Sequence, residues 1–323
     1  MTQSRMLAPS GWPFDAQRRR EDHGFFGPDS PTWKVWTSPT ALIGFQRAVV
    51  VESFDPFLAA AVNDSNGVRY DPKGRLDSTL TYFTIVAVGD SRAAIEASEL
   101  LMKVHTRATG IEPITGRRYS ANNPDSQLWI HVTGWHSVLY CYERFGPGPL
   151  SPADEARYWA DCVTAAQLQT CDPDTVPRNR AEVRDYFDAV RPRLCASEGS
   201  RSLMHHLLFP PGASGDPLLR PSAHAMARAT ITTIPTWMRV LGGFDQSSAA
   251  AAVARAAGRA AMRVARPLPA RLRLVDRVSP SIRPVWENAL LGAPPLRAET
   301  VTPAQARERF GTLSGRATAQ ASH

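Results

Sequence analysis

Between residues 35 and 245 the apolar residues recur at three- and four-residue spacings and seldom alternate, so this stretch is predicted to be mostly helical. Four helix starts are written as a capping side chain followed by proline: Ser38–Pro39, Asp55–Pro56, Asn123–Pro124 and Ser151–Pro152. The longest predicted helix, NPDSQLWIHVTGWHSVLYCYERFG, runs from Asn123 to Gly146, and SPADEARYWADCVTAAQL adds Glu155 near the positive end of its helix. Further helices are predicted from near Arg75, from near Asp90 and within SAHAMARATITTIPTWMRVLGG. The Ala- and Arg-rich AAAVARAAGRAAMRVARPLPARLRL follows, either packed or with its basic face outward. No turn dipeptide joins two alternating runs and no segment repeats at a fixed period. The class is therefore all-α, one large helical domain over 35–245. An irregular arm rich in Pro, Gly and charge (1–34) precedes it, and a helical C-terminal extension (246–323) ends in a tail, RATAQASH, expected to fray.

Composition narrows the function classes. With 43% hydrophobic and 21% charged residues, the 323-residue chain has ordinary globular composition and enough length to bury a sizeable ligand. The net charge of +7 comes almost wholly from arginine, lysine standing only at positions 34, 73 and 103, and no zinc-finger or RNA-binding signature accompanies it. Nucleic acid is therefore not the expected partner. Cys141, Cys162, Cys171 and Cys195 form no CxxC pair and read as reduced thiols. The N-terminal MTQSRMLAPSGWPFDAQRRREDHGFFG has no apolar core of signal-peptide type, and ALIGFQRAVVV is too short to span a bilayer. A cytoplasmic protein without a transmembrane segment is expected, with attachment to a membrane surface left open and the oligomeric state not legible.

The candidate chemistry begins with His105. Helical spacing puts it on one stripe with Ile95, Ser98, Leu101 and Met102, where a polar ring has little obvious purpose. The plainest reading is a core histidine with one ring nitrogen on a carbonyl. The small or soft neighbours Ala94, Ser98, Leu101 and Met102 also allow a flat apolar ring to approach, with the imidazole as a metal ligand, and Gly110 permits a helix stop nearby. Arg75 and Thr79, four apart, share a face on which a guanidinium and a hydroxyl can meet one small polar object. The alternative is an arginine paired with an acid and a threonine bonded back to its own helix. His131 and His136 diverge by about 140° on their helix and do not share a metal. HExxH, phosphate-cradling glycine loops and GxSxG are all missing, which weakens zinc hydrolase, kinase, dehydrogenase and serine hydrolase readings.

In order, DPFLAAAVNDS, RLDST, VAVGD, ASELLMKVHTRATG, RRYSANNPDSQLWIHVT and TIPTWMRVLGG resemble the catalytic domain of rubber oxygenases. That family includes latex-clearing proteins and the oxygenase of mycophenolic acid biosynthesis, and the likeness spans roughly residues 33 to 245. It implies a globin-like helical fold holding haem b, with His105 as proximal iron ligand and Arg75 and Thr79 on the distal side near dioxygen. His131 matches the histidine of the family's Trp-x-His run, either beside the haem or as structural support, and Arg107 is expected to pair with a haem propionate. Two departures stand out. Latex-clearing proteins carry a lysine before the distal threonine where this chain has Ser78, and their acidic base has no counterpart at Ala59 or Ala60, with Asp55 and Asp64 only at that helix's ends. The expected function is a haem-dependent oxygenase using dioxygen on a hydrophobic small molecule, an isoprenoid or other specialised metabolite. A haem or gas carrier without turnover, or a metal-free all-α ligand-binding domain, are the competing classes.

Overall fold

Each predicted proline start is a real helix start. The computed structural model describes residues 11–12, 14–65, 71–209 and 219–311; the first ten residues, the GASGD turn and the RATAQASH tail lie outside the described residues. The Asp55 carboxylate accepts from the amides of Phe57 and Leu58 to open helix α3 (Pro56–Asp64). Asn123 caps the helix Pro124–Phe145 and Ser151 the helix Pro152–Ala166 in the same way. Ser38 is displaced by one residue from the expected register. Helix α2 (Thr40–Glu52) begins after Pro39, and the Ser38 hydroxyl instead accepts from the Thr40 amide.

In chain order the described helices are α1 (Pro31–Trp36), α2, α3, α4 (Pro72–Val88), α5 (Ser91–His105), α6 (Pro124–Phe145), α7 (Pro152–Ala166), α8 (Arg180–Val190) and α9 (Glu198–Leu208). Then follow α10 (Leu219–Ile231), α11 (Thr236–Gly242), α12 (Ser248–Val264), α13 (Leu268–Val278), α14 (Ile282–Leu290) and α15 (Pro303–Phe310). The helical region expected through TTIP is split at Pro235, whose ring disfavours helix at the residue before it.

The main packing axis is α2 against α6. Gly44 sits where a Cβ would lie 2.6 Å from the Cα of Val138, so only glycine lets these backbones approach so closely. Beside it the buried Arg47 donates to the Thr233 carbonyl and to the Ser137 hydroxyl, and Gln46 donates to the Leu207 carbonyl while accepting from Thr230. The α2 backbone is thereby tied to α6, α9 and α10. A core of Trp36, Phe83, Trp135 and Tyr158 fills the space where α1, α4, α6 and α7 meet.

Two segments that the sequence leaves undefined are firmly placed. In the arm, Asp22 accepts from the amides of Gly24 and Ser91 and from the Ser91 hydroxyl, while Arg20 donates to the Val88 carbonyl. Backbone bonds from His23, Leu296 and Val301 join the arm to residues 296–301. The C-terminal helices enter the same core through Val275, Ile282, Val285 and Trp286. Buried Asp77 on α4 accepts from Ser279 at 2.6 Å and from the Ser281 hydroxyl at 2.6 Å, fastening the α13–α14 turn to α4.

Among the described residues the only strands are the antiparallel pair Thr109–Ile111 and Arg118–Ser120. The hairpin escapes sequence reading because a side chain closes its turn: the Glu112 carboxylate accepts from the amides of Ile114 and Thr115 and from the Thr115 hydroxyl. Gly110 does not end α5, which stops at His105. It lies in the first strand, where the Tyr119 ring occupies the space a Cβ would need. No helix among the described residues is long and apolar enough to cross a membrane.

Candidate functional site

Helices α2, α4, α5 and α6 each leave one side unfilled, and these sides, with residues of α9, α10, α12 and α13, enclose a cavity of about 1190 Å³. That exceeds the roughly 300–1,000 Å³ of ordinary small-molecule sites, so it has room for more than one ligand. Most of the wall is apolar, with Leu42, Phe45, Leu76, Phe83, Leu101, Ile130 and Val138 facing inward. Gly134 of α6 also lines it, and a Cβ added there would meet no atom within 4 Å, so the helix surface is flat and open at this point.

His105 ends α5 and borders this space. Gln127, capped into the first turn of α6 and buried, places its amide nitrogen 3.4 Å from His105 Nδ1 and 2.5 Å from the Ala121 carbonyl. Asn122 also hydrogen-bonds the ring, and its own amide donates to the Met102 carbonyl. Desolvation, with the Arg75 charge as a second cause, pushes the His105 pKa down to about 4. The ring is therefore neutral at physiological pH, the state a metal ligand needs.

Arg75 and Thr79 line the same cavity from α4. Arg75 retains accessible surface yet is desolvated, as expected of a group in a cavity wall, and desolvation alone lowers its pKa. No carboxylate among the described residues perturbs it. Among the described residues the alternative pairing with an acid is not formed, and the guanidinium borders the cavity. Thr79 behaves in the ordinary helical way, donating to the Arg75 carbonyl at 2.8 Å, so toward the cavity it offers lone pairs rather than its proton.

The other expected site residues lie elsewhere. His131 is fully buried between α6 and α7, with Nε2 2.8 Å from the Cys162 carbonyl, and does not border the cavity. Its Nδ1 has no hydrogen-bond partner among the described residues, so one ring nitrogen is paired and the other is not, and the side of α6 that carries the ring faces α7. Met102 and Arg107 also lie off the cavity wall: Leu101, Val104 and His105 occupy the inward side of α5, and Arg107 is exposed beyond the helix end. The cations in the wall are Lys73, Arg75 and Arg277.

One wall residue has no counterpart among the expected acids. Glu52, the last residue of α2, borders the cavity, and burial raises its pKa to about 8. The sequence signal was a lone acid closing the apolar run ALIGFQRAVVVE, upstream of the segment where an acid was sought. Held neutral at pH 7, it presents a carboxylic acid proton to an apolar space.

The donor set fits a metal delivered within a flat macrocycle. Among the described residues no three His, Cys, Asp or Glu side chains converge as metal ligands, whereas His105 supplies one imidazole to a cavity that Gly134 also lines with an open helix surface. A ring that brings its own equatorial nitrogens needs only that from the protein. No curated protein and no solved structure matches the chain. The family profile described as ER-bound oxygenase mpaB/B′/rubber oxygenase, catalytic domain, matches residues 33–267, nearly three-quarters of the sequence. With that span of the chain and an all-α body around one large cavity, the protein belongs to the mpaB/rubber oxygenase family of oxygenases.

Proposed function

We propose that this protein is a haem-dependent oxygenase acting on an apolar small molecule, an isoprenoid or similar specialised metabolite. The observation that carries the reading is a neutral imidazole, His105, in the wall of a large apolar cavity that also holds the charged Arg75. Haem b, when bound, supplies the redox chemistry with dioxygen. The protein sets ligation, polarity and access.

His105 would hold the iron of that group through its imidazole, oriented by Gln127 and Asn122, partners of the kind that fix a ligating ring. Arg75 would be the donor toward dioxygen: it carries no counter-ion among the described residues and, although it keeps accessible surface, is desolvated in the cavity wall. A charge-assisted hydrogen bond from it to oxygen that gains negative charge is therefore strong. Thr79 positions a polar partner through its lone pairs. Glu52 holds a proton at its carboxyl until about pH 8 and can deliver it inside the cavity, the role for which no acid was legible at Ala59 or Ala60. The apolar wall selects substrate by desolvation.

Titration of the purified protein with haemin tests this reading. A Soret band saturating at one equivalent is expected, followed by oxygen uptake when a terpenoid or other unsaturated lipid is added. Failure to bind haemin leaves only the metal-free ligand-binding class, and binding without uptake across a panel of unsaturated apolar compounds leaves a carrier.

A further inference from the structure

The chain's charge is concentrated in one place. Residues 248–278 hold seven arginines and one acid, Asp276, so six of the formal +7 lie in this stretch. It folds as α12 and α13. On α12, Ala251, Ala254 and Gly258 face the protein, and Gly258 is pressed against Phe145 and Ala229. Arg255, Arg259 and Arg263, each four residues after the last, run along the adjoining flank. On the remaining side Val253, Ala256, Ala260 and Val264 form a single stripe at spacings of three and four, all exposed, Val253 at 70% and Val264 at 76%. Arg266, Arg273 and Arg277 extend the exposed basic surface past the helix end.

We infer that α12 and α13 form a docking surface for an anionic lipid bilayer. An apolar stripe flanked by arginines is the arrangement of a helix lying in the plane of a membrane interface, the stripe among the upper acyl carbons and the guanidinium groups at the phosphates. Charge complementarity chooses the occupant. A second copy would set arginines against arginines, and duplex or single-stranded nucleic acid would leave Val253 and Val264 exposed. The stretch also lacks any aromatic side chain on which bases could stack.

The placement bears on the cavity. Ala257 and Ala261 are exposed and also line it, and Ala265, Leu274 and Val278 continue the same wall. The docking helices therefore form the edge of the opening, and an apolar compound dissolved in the bilayer meets the cavity without crossing water. The inference stands whether or not haem is the cofactor, because it concerns only surface and charge.

Co-sedimentation with vesicles of phosphatidylcholine alone, and with about one-third phosphatidylserine, tests it. Binding to the anionic vesicles is expected at low salt, with binding to the neutral ones weaker by about tenfold or more and the difference lost at high salt. The exposed triple variant Arg263→Glu, Arg266→Glu, Arg273→Glu should abolish the preference, and Val253→Asp with Val264→Asp should weaken binding to anionic vesicles several-fold. Circular dichroism checks that both variants keep the helical fold. Equal binding to the two compositions, no binding at low salt, or binding that neither variant alters would each overturn the proposal. So would displacement of bound vesicles by duplex DNA at matched charge, or self-association lost in the valine variant.

Discussion

His105 and His131 are alike by most local measures. Both stand on helices, and burial pushes both down to about 4, although His131 is fully buried and His105 half-buried. They differ in what stands in front of them. His131 meets the Cys162 carbonyl at 2.8 Å inside a closed seam of Trp135, Tyr158 and Trp159, while His105 meets two side-chain amides on one edge and open cavity beyond. Desolvation tunes an imidazole equally well for either fate. Open volume, not titration, separates the proposed ligand from the ring packed in the seam.

Exchanging the two rings for methyl groups is the sharpest way to break this pairing. His105→Ala is expected to abolish the Soret band of the haemin-titrated protein with little loss of stability, since the ring borders open space. His131→Ala should retain the band while urea unfolding shows a loss of about 3 kcal/mol, from the void and the orphaned carbonyl. A protein that loses haem in the second variant and keeps it in the first would invert the assignment.

The next effect in size comes from α4. Arg75→Leu is expected to leave haemin binding intact and slow substrate-dependent oxygen uptake by about 10²-fold, the usual cost of removing a preorganised donor. Loss of haem in that variant would make Arg75 a structural residue.

The smallest effect is on pH-dependent stability. The Glu52 carboxyl ionises near 4.5 in the unfolded chain but only near 8 in the folded one, so the unfolded state gives up a proton the folded state keeps. Stability is therefore lost as pH rises across that window. Glu52→Gln, neutral in both states, is expected to exceed the wild type at pH 7 by on the order of 1 kcal/mol, with the gap closing at pH 4. An equal gap at both pH values would show that the carboxyl is not shielded.

Local signals carried the fold far. Asp55, Asn123 and Ser151 cap as their proline neighbours predict, because caps act within four residues of sequence, whereas the region read as helical through TTIP is split at Pro235. The hairpin after His105 was not legible, since Glu112 closes it with its side chain instead of a turn dipeptide. At the site, spacing put Arg75 and Thr79 on one face and His105 on an apolar stripe, and all three border the cavity. Spacing could not say which face meets a void. His131, Met102 and Arg107 therefore stood as candidates although they lie off the wall, while Glu52 escaped notice at the end of an apolar run. That information lies in the packing of α2 against α6, set by Gly44 and Arg47 across nearly a hundred residues of chain.

The matched family region ends at residue 267, yet Leu274, Arg277 and Val278 still face the cavity, held there by the grip of Asp77 on Ser279 and Ser281. The cavity wall thus comes from two stretches of chain: the matched family region, which carries Arg75 and His105, and the helices after it. Substitutions at Leu274 or Val278 would reshape the cavity from outside the matched region, with Arg75 and His105 left in place.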